Sequence, residues 1–142
     1  MLRLSTLLAG RAWWSPKGAR AVRYGAARGR LVSTSDSGDG VLLWVHGGAF
    51  VSGSPRVDQW LAAKYGALAG IPAFVPRYRL APEHPFPAAA DDVLGAYDAL
   101  LARGFAAETI RVAGISSGGA LVAGLLGDLV REGLPMPGAP RC

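Results

Sequence analysis

The stretch Gly114-Ile115-Ser116-Ser117-Gly118-Gly119 decides how this chain is read. Before it stands Thr109-Ile110-Arg111-Val112-Ala113, a β-branched and apolar run with the character of a buried strand. After it, apolar residues recur at Leu121, Val122, Leu125, Leu126, Leu129 and Val130, the period of an amphipathic helix. Strand, tight turn and helix follow one another with a serine at the apex, the context in which G-x-S-x-G is informative as a nucleophile elbow. Strand and helix backbones pass close together at such a turn, so the residues two before and two after the serine must be small. Ser116 has Gly114 and Gly118 in those places, whereas Ser117 would put Ile115 in a crowded one. Ser116 is the candidate nucleophile.

Upstream, the turn Asp36-Ser37-Gly38-Asp39-Gly40 leads into Val41-Leu42-Leu43-Trp44-Val45, a continuous apolar run that marks a strand covered on both faces. It ends in His46-Gly47-Gly48-Ala49-Phe50. Ser54 as N-cap and Pro55 at the first helical position open a helix carried by Val57, Leu61, Tyr65 and Leu68, which Gly70 and Pro72 close. A strand over Ala73–Tyr78 follows, although Pro76 removes one ladder donor from it. After the proline-rich loop Leu80–Pro87, a helix is expected from about Ala88 to Arg103, with Gly104 as its stop. Gly133-Leu134-Pro135-Met136-Pro137-Gly138 breaks the chain near its end. From residue 41 the order is therefore strand–helix three times over. Helical crossovers of this length join parallel strands, which gives an α/β fold: a mostly parallel sheet with helices on both faces.

Residues 1–35 form a basic amino-terminal arm or partial cap, distinct from the domain of residues 36–142. Seven basic side chains and no acid fall in the arm, and eight basic against ten acidic in the rest, so the net charge of +5 describes neither part. A solvated extension is the plain reading, and contact with an anionic membrane surface the alternative. Within the arm, Leu4, Leu7, Leu8, Arg11 and Trp14 suggest a short helix before Pro16, and Ala21–Tyr24 and Arg30–Thr34 are marginal strands. Trp13 and Trp14 suit either a lid over an apolar site or surface packing. No apolar run approaches the roughly 20 residues of a transmembrane helix. The one cysteine, Cys142, excludes an internal disulfide framework and any cysteine metal site, and fits a reducing, cytoplasmic compartment.

In open parallel sheets, ligands sit beyond the carboxyl ends of the strands, where both glycine-rich motifs fall. Glycines after the first strand let backbone N–H groups face an incoming oxygen, and the Ser117 N–H at a helix start can face the same point. Such converging donors form an oxyanion hole. Phosphate binding is the competing use, but neither G-x-x-x-x-G-K-[ST] nor G-x-G-x-x-G is present.

Taken together, His46-Gly47-Gly48-Ala49, Tyr78-Arg79-Leu80-Ala81-Pro82-Glu83-His84-Pro85-Phe86-Pro87-Ala88-Ala89 and Gly114–Gly119 resemble, in order and spacing, the hormone-sensitive-lipase branch of the α/β-hydrolases. The resemblance covers about residues 40–138. It implies a carboxylesterase or lipase with a Ser–His–Asp triad, Ser116 as nucleophile, and an oxyanion hole built from the N–H groups of Gly47, Gly48 and Ser117. The substrate it implies is a small-molecule acyl ester, with no nucleic acid partner, no metal and no organic cofactor. The chain departs from the family pattern at Ala49, where a third glycine is usual, at Ile115 and Ser117, where Asp and Ala are usual, and at Arg77, where an acid is common.

The largest departure is an absence. In this fold the triad runs Ser, then Asp or Glu, then His, yet only 26 residues follow Ser116 and none is histidine. Asp128 would lie about 18 Å along the elbow helix and reads as a solvated helix residue. His46 belongs to the oxyanion loop and reads as structural. His84 reads as a loop histidine, with Arg79 and Glu83 as a local pair bracing that loop. The expectation is an amino-terminal half of a serine hydrolase with little activity by itself, its elbow strand left as an open hydrophobic edge prone to association. A non-catalytic ligand-binding protein on the same fold, or an amide or formamide hydrolase, are the alternatives.

Overall fold

A computed structural model describes residues 15–33 and 38–139. The helix expected at the start of the chain and the lid reading of Trp13 and Trp14 lie outside the described residues. The elements, in order, are β1 (Arg20–Tyr24), β2 (Ala27–Val32), β3 (Val41–Val45), α1 (Pro55–Ala69), β4 (Ala73–Pro76), α2 (Ala88–Ala102), β5 (Ile110–Gly114) and α3 (Ser117–Glu132), with a 3₁₀ turn at Ala107–Thr109 before β5.

They form one five-stranded sheet in the order β1-β2-β4-β3-β5. β3 pairs in parallel with β4 on one side and β5 on the other, with Leu43 opposite Phe74 and Val112. These strands alternate with helices as the apolar runs require. β1 and β2 form an antiparallel hairpin whose second strand pairs with β4. The sheet is thus parallel at its centre and antiparallel at one edge. Residues 20–32, assigned from sequence to a basic arm, supply that edge.

All five residues of β3 are buried because helices cover both faces. On one face Val41, Leu43, Val45, Phe74 and Ile110 pack with Val93, Tyr97 and Leu100 of α2 and with Leu121, Leu125 and Leu129 of α3. On the other, Leu42, Trp44, Ala73 and Val75 pack with Ala62 of α1. The hairpin joins the first cluster through Tyr24, whose ring lies 5.0 Å from that of Phe74 and carries the Arg103 guanidinium 4.6 Å above it. Gly29 permits this approach, since a Cβ there would meet the Val75 carbonyl at 2.2 Å.

Helix boundaries follow the sequence signals. Pro55 opens α1, and Gly70 ends it in the left-handed conformation (φ 68°) with its N–H on the Ala67 and Gly66 carbonyls. β4 is shorter than expected and stops at Pro76, the residue without a donor. Tyr78 is therefore a buried loop residue rather than part of the strand. β5 lies at the edge of the sheet, with β3 as its one strand partner among the described residues. Beyond α3 the chain returns along that edge, and the Gly138 N–H donates to the Ile110 carbonyl at 2.9 Å. No helix among the described residues is long and apolar enough to cross a membrane.

Leu43 is fully buried in the central strand, so Leu43→Ala should remove about 2–5 kcal/mol of stability. Urea unfolding checks this; a loss below about 1 kcal/mol would mean that the two-faced packing around β3 does not hold the fold.

Candidate active site

β5 and α3 meet with no intervening loop. Gly114 ends the strand, Ser117 begins the helix, and Ser116 between them adopts φ 53°, ψ −124°. A β-carbon is disfavoured at that φ. The conformation is held by its surroundings: a Cβ on Gly114 would lie 2.6 Å from the Gly118 carbonyl group, and one on Gly118 would lie 2.1 Å from the Val45 carbonyl oxygen. The two glycines flanking Ser116 at two-residue spacing are thus required by close backbone contact, as the sequence reading supposed. The turn also separates the adjacent serines: Ser116 is exposed, while Ser117 is buried and its Oγ makes no hydrogen bond among the described residues.

The loop after β3 lies against this apex. A Cβ on Gly47 would fall 3.0 Å from the Ile115 carbonyl and 3.4 Å from Ser116 Cβ. Gly48, Ala49 and Phe50 have φ of 131°, 52° and 63°, so three successive residues take positive φ and turn the backbone sharply. Ala49 holds the left-handed conformation that a third glycine would take freely, at a cost of about 1 kcal/mol. The turn closes through Val51 and Ser52 N–H bonds to the Gly48 carbonyl at 3.1 and 2.9 Å, and through Ser52 Oγ to the same oxygen at 2.9 Å.

Asp58, on the first turns of α1, braces the loop. Its Oδ2 accepts from the Gly47 N–H at 3.2 Å and from Trp44 Nε1 at 3.4 Å. The Gly47 N–H, expected in the oxyanion hole, is therefore engaged by a carboxylate. The N–H groups of Gly48, Ala49 and Ser117 make no hydrogen bond among the described residues. Asp58 was not foreseen from sequence. An acidic residue in a first helical turn is common enough for helix-dipole reasons to carry no signal of its own.

His46 is 1% exposed. Its ring stacks on Tyr78, with centroids 4.1 Å apart, and its Nδ1 lies 2.9 Å from the Gly47 carbonyl. Burial lowers its pKa, outweighing the opposing pull of that carbonyl bond and of Asp58. A neutral ring with Nδ1 facing a carbonyl carries its proton there, so the histidine is a structural donor, as expected. Tyr78 Oη donates to the His46 carbonyl at 2.7 Å. Burial pushes its pKa up to about 12 against a weaker opposing effect of the nearby Ser117 hydroxyl, which approaches without reaching hydrogen-bond geometry. His84 is exposed on the proline-rich loop and lines a cavity to which Ser116 does not contribute.

One expected pair is corrected. Arg79 does not pair with Glu83: its guanidinium binds Asp92 of α2, with Nη2 2.9 Å from Oδ1 and Nε 2.9 Å from Oδ2, and the Arg79 N–H adds a 2.8 Å bond. The loop is thus tied to α2 rather than to itself. Asp128 is a solvated residue of α3 paired with Arg131 one turn on, and takes no part in the site.

A family model described as alpha/beta hydrolase fold matches residues 42–140. Among curated proteins, an acetyl-hydrolase of Streptomyces hygroscopicus is 39% identical over 101 residues, covering 71% of this chain and 34% of that protein. An esterase of Acinetobacter venetianus is 31% identical over 118 residues, covering 83% of this chain and 39% of its own length. Among solved structures, a hormone-sensitive lipase from a metagenome library superposes with a TM-score of 0.85 at 33% identity, over 95% of this chain and 46% of that one. The chain spans less than half the length of each of these relatives.

Two substitutions test this geometry. Ser117→Ala deletes a buried hydroxyl that makes no hydrogen bond among the described residues and should raise stability by about 1 kcal/mol, read as a rise of several degrees in Tm; a fall would reveal a partner for that hydroxyl. Asp58→Ala leaves both the Gly47 N–H and the Trp44 indole without their acceptor. It should cost about 1–3 kcal/mol and shift Trp44 fluorescence. Unchanged stability and emission would remove Asp58 from its bracing role.

Proposed function

The chain belongs to the alpha/beta hydrolase fold family, and we propose that within it residues 36–142 supply the nucleophile-bearing half of a serine hydrolase acting on carboxylic esters. The observation that carries this reading is Ser116: an exposed serine in a disfavoured conformation, beside backbone donors that have no acceptor among the described residues. The names of the relatives, an acetyl-hydrolase, an esterase and a hormone-sensitive lipase, agree with it.

In this mechanism Ser116 Oγ attacks the ester carbonyl carbon and gives up its proton. The carbonyl oxygen becomes an oxyanion and accepts hydrogen bonds from the Ser117 N–H and from the loop after β3. Because Asp58 engages the Gly47 N–H, the loop's contribution comes from Gly48 and Ala49. Each such donor accounts for roughly 3–4 kcal/mol of barrier lowering in acyl transfer. Collapse expels the alcohol and leaves the acyl group on Ser116, and water then releases the acid. The proton on Ser116 needs a base. His46 is committed to the Gly47 carbonyl, and no histidine follows Ser116 in the sequence. With His84 read as a loop histidine, this reading takes the base and its orienting carboxylate from outside residues 1–142. The single cysteine suits a reducing, cytoplasmic setting.

A fluorophosphonate probe tests the assignment in a polypeptide that carries this chain together with such a base. Fragment-ion mass spectrometry should place the adduct on Ser116. The label should vanish in Ser116→Ala and survive in Ser117→Ala, and an adduct on Ser117 would sink the assignment.

A further inference from the structure

The carboxyl ends of β3 and β4 flank a second crevice. The chain leaves β3 toward α1 on one face of the sheet and leaves β4 toward α2 on the other, an arrangement that opens a cleft between adjacent strands. A cavity of about 820 Å³ occupies it, and Ser116 is not among its lining residues. That volume falls in the range of small-molecule sites, roughly 300–1,000 Å³.

Two arginines stand together on its sheet side. Arg28 and Arg77 follow the register pair Gly29–Pro76 across the antiparallel β2–β4 ladder, and the Arg77 N–H donates to the Arg28 carbonyl at 2.7 Å. Residues directly opposite in such a ladder project to the same face, and like charges so placed repel. Both line the cavity, and neither has a carboxylate within ion-pair distance among the described residues. By contrast, Arg79 in the same lining is neutralised by Asp92. The remaining acids, Glu83 and Asp91, belong to the loop and to α2 rather than to the sheet. Ser54, whose hydroxyl makes no bond to the helix it precedes, lines the cavity as well, and Ala27, Pro55, Leu80 and the buried Tyr78 give it apolar wall.

We propose that this cavity binds a small organic anion, its carboxylate or phosphate group held between Arg28 and Arg77 and its apolar part along Leu80 and Pro55. An anion there relieves the cross-strand repulsion and can accept from both guanidinium forks at once. The site is separate from the elbow, so binding does not depend on acylation of Ser116.

Isothermal titration of the 142-residue chain with butyrate and with inorganic phosphate, against chloride at matched ionic strength, tests it. Saturable binding of either probe is expected, weakened at least fivefold by Arg28→Gln and by Arg77→Gln, and unchanged by Arg131→Gln on α3. Binding of butyrate alone identifies a carboxylate ligand, phosphate alone a phosphorylated one, and both together the shared chemistry; each supports the site. Both variants change exposed side chains, and circular dichroism melts check that the fold is kept. Absence of saturable binding, or equal binding in the two variants and the parent, overturns the proposal.

Discussion

The contact between Gly118 and the end of β3 is the constraint on which the rest of the structure depends. A single added methyl group would sit 2.1 Å from the Val45 carbonyl oxygen and 2.6 Å from that of His46, well inside van der Waals contact. Because α3 can start this close to the sheet, the chain can turn from strand to helix within the Ser116–Ser117 step. Because β3 and β5 are adjacent and parallel, the loop that leaves β3 is delivered beside that turn. A larger residue at position 118 would separate the helix from the strand and the serine from its neighbouring donors together.

Strain and rigidity are distributed accordingly. The non-glycine residues with positive φ among those described are Ala49, Phe50 and Ser116, all beyond the carboxyl ends of β3 and β5. Each such conformation costs on the order of 1–3 kcal/mol and persists only where the surroundings leave no alternative. Here those surroundings are the fully buried β3, its parallel partner β5 and the polar links from Asp58, Tyr78 and Ser52. Tyr78 bonds the His46 carbonyl while stacking on its ring, so one side chain fixes both backbone and imidazole. The exposed face of Ser116 is then held by groups that are themselves buried or half-buried.

Much of this was legible in the sequence, for identifiable reasons. The central strands announce themselves as unbroken apolar runs because both faces are covered. α1 and α2 announce their ends through Pro55, Gly70 and Gly104, and the elbow through glycines with a steric duty. The hairpin was harder to read. Most of its side chains are at least partly exposed and four of them are arginines, so β2 carries little apolar alternation, and its anchor Tyr24 is a single residue. Arg79 was assigned the acid nearest in sequence, whereas the fold offers it Asp92, thirteen residues away and brought near by the start of α2. Asp58 and the diversion of the Gly47 N–H left no trace at all, since a backbone donor's partner depends on where a neighbouring helix lies.

Arg77 joins these threads. As a sequence feature it is a departure from a family pattern with no evident purpose. In the fold it is the residue at which β4 leaves the ladder, next to the Pro76 that cannot donate, and its own N–H makes the last bond to β2. That bond sets its side chain beside Arg28, at the mouth of a crevice whose other arginine is already neutralised. An acid at position 77 would pair with Arg28 across the strands and satisfy both. An arginine there leaves two like charges facing each other, an arrangement with an electrostatic cost that no described carboxylate within ion-pair distance offsets. The charge placed at the end of β4, rather than the overall charge of the chain, is what distinguishes this crevice chemically from the one that holds Ser116.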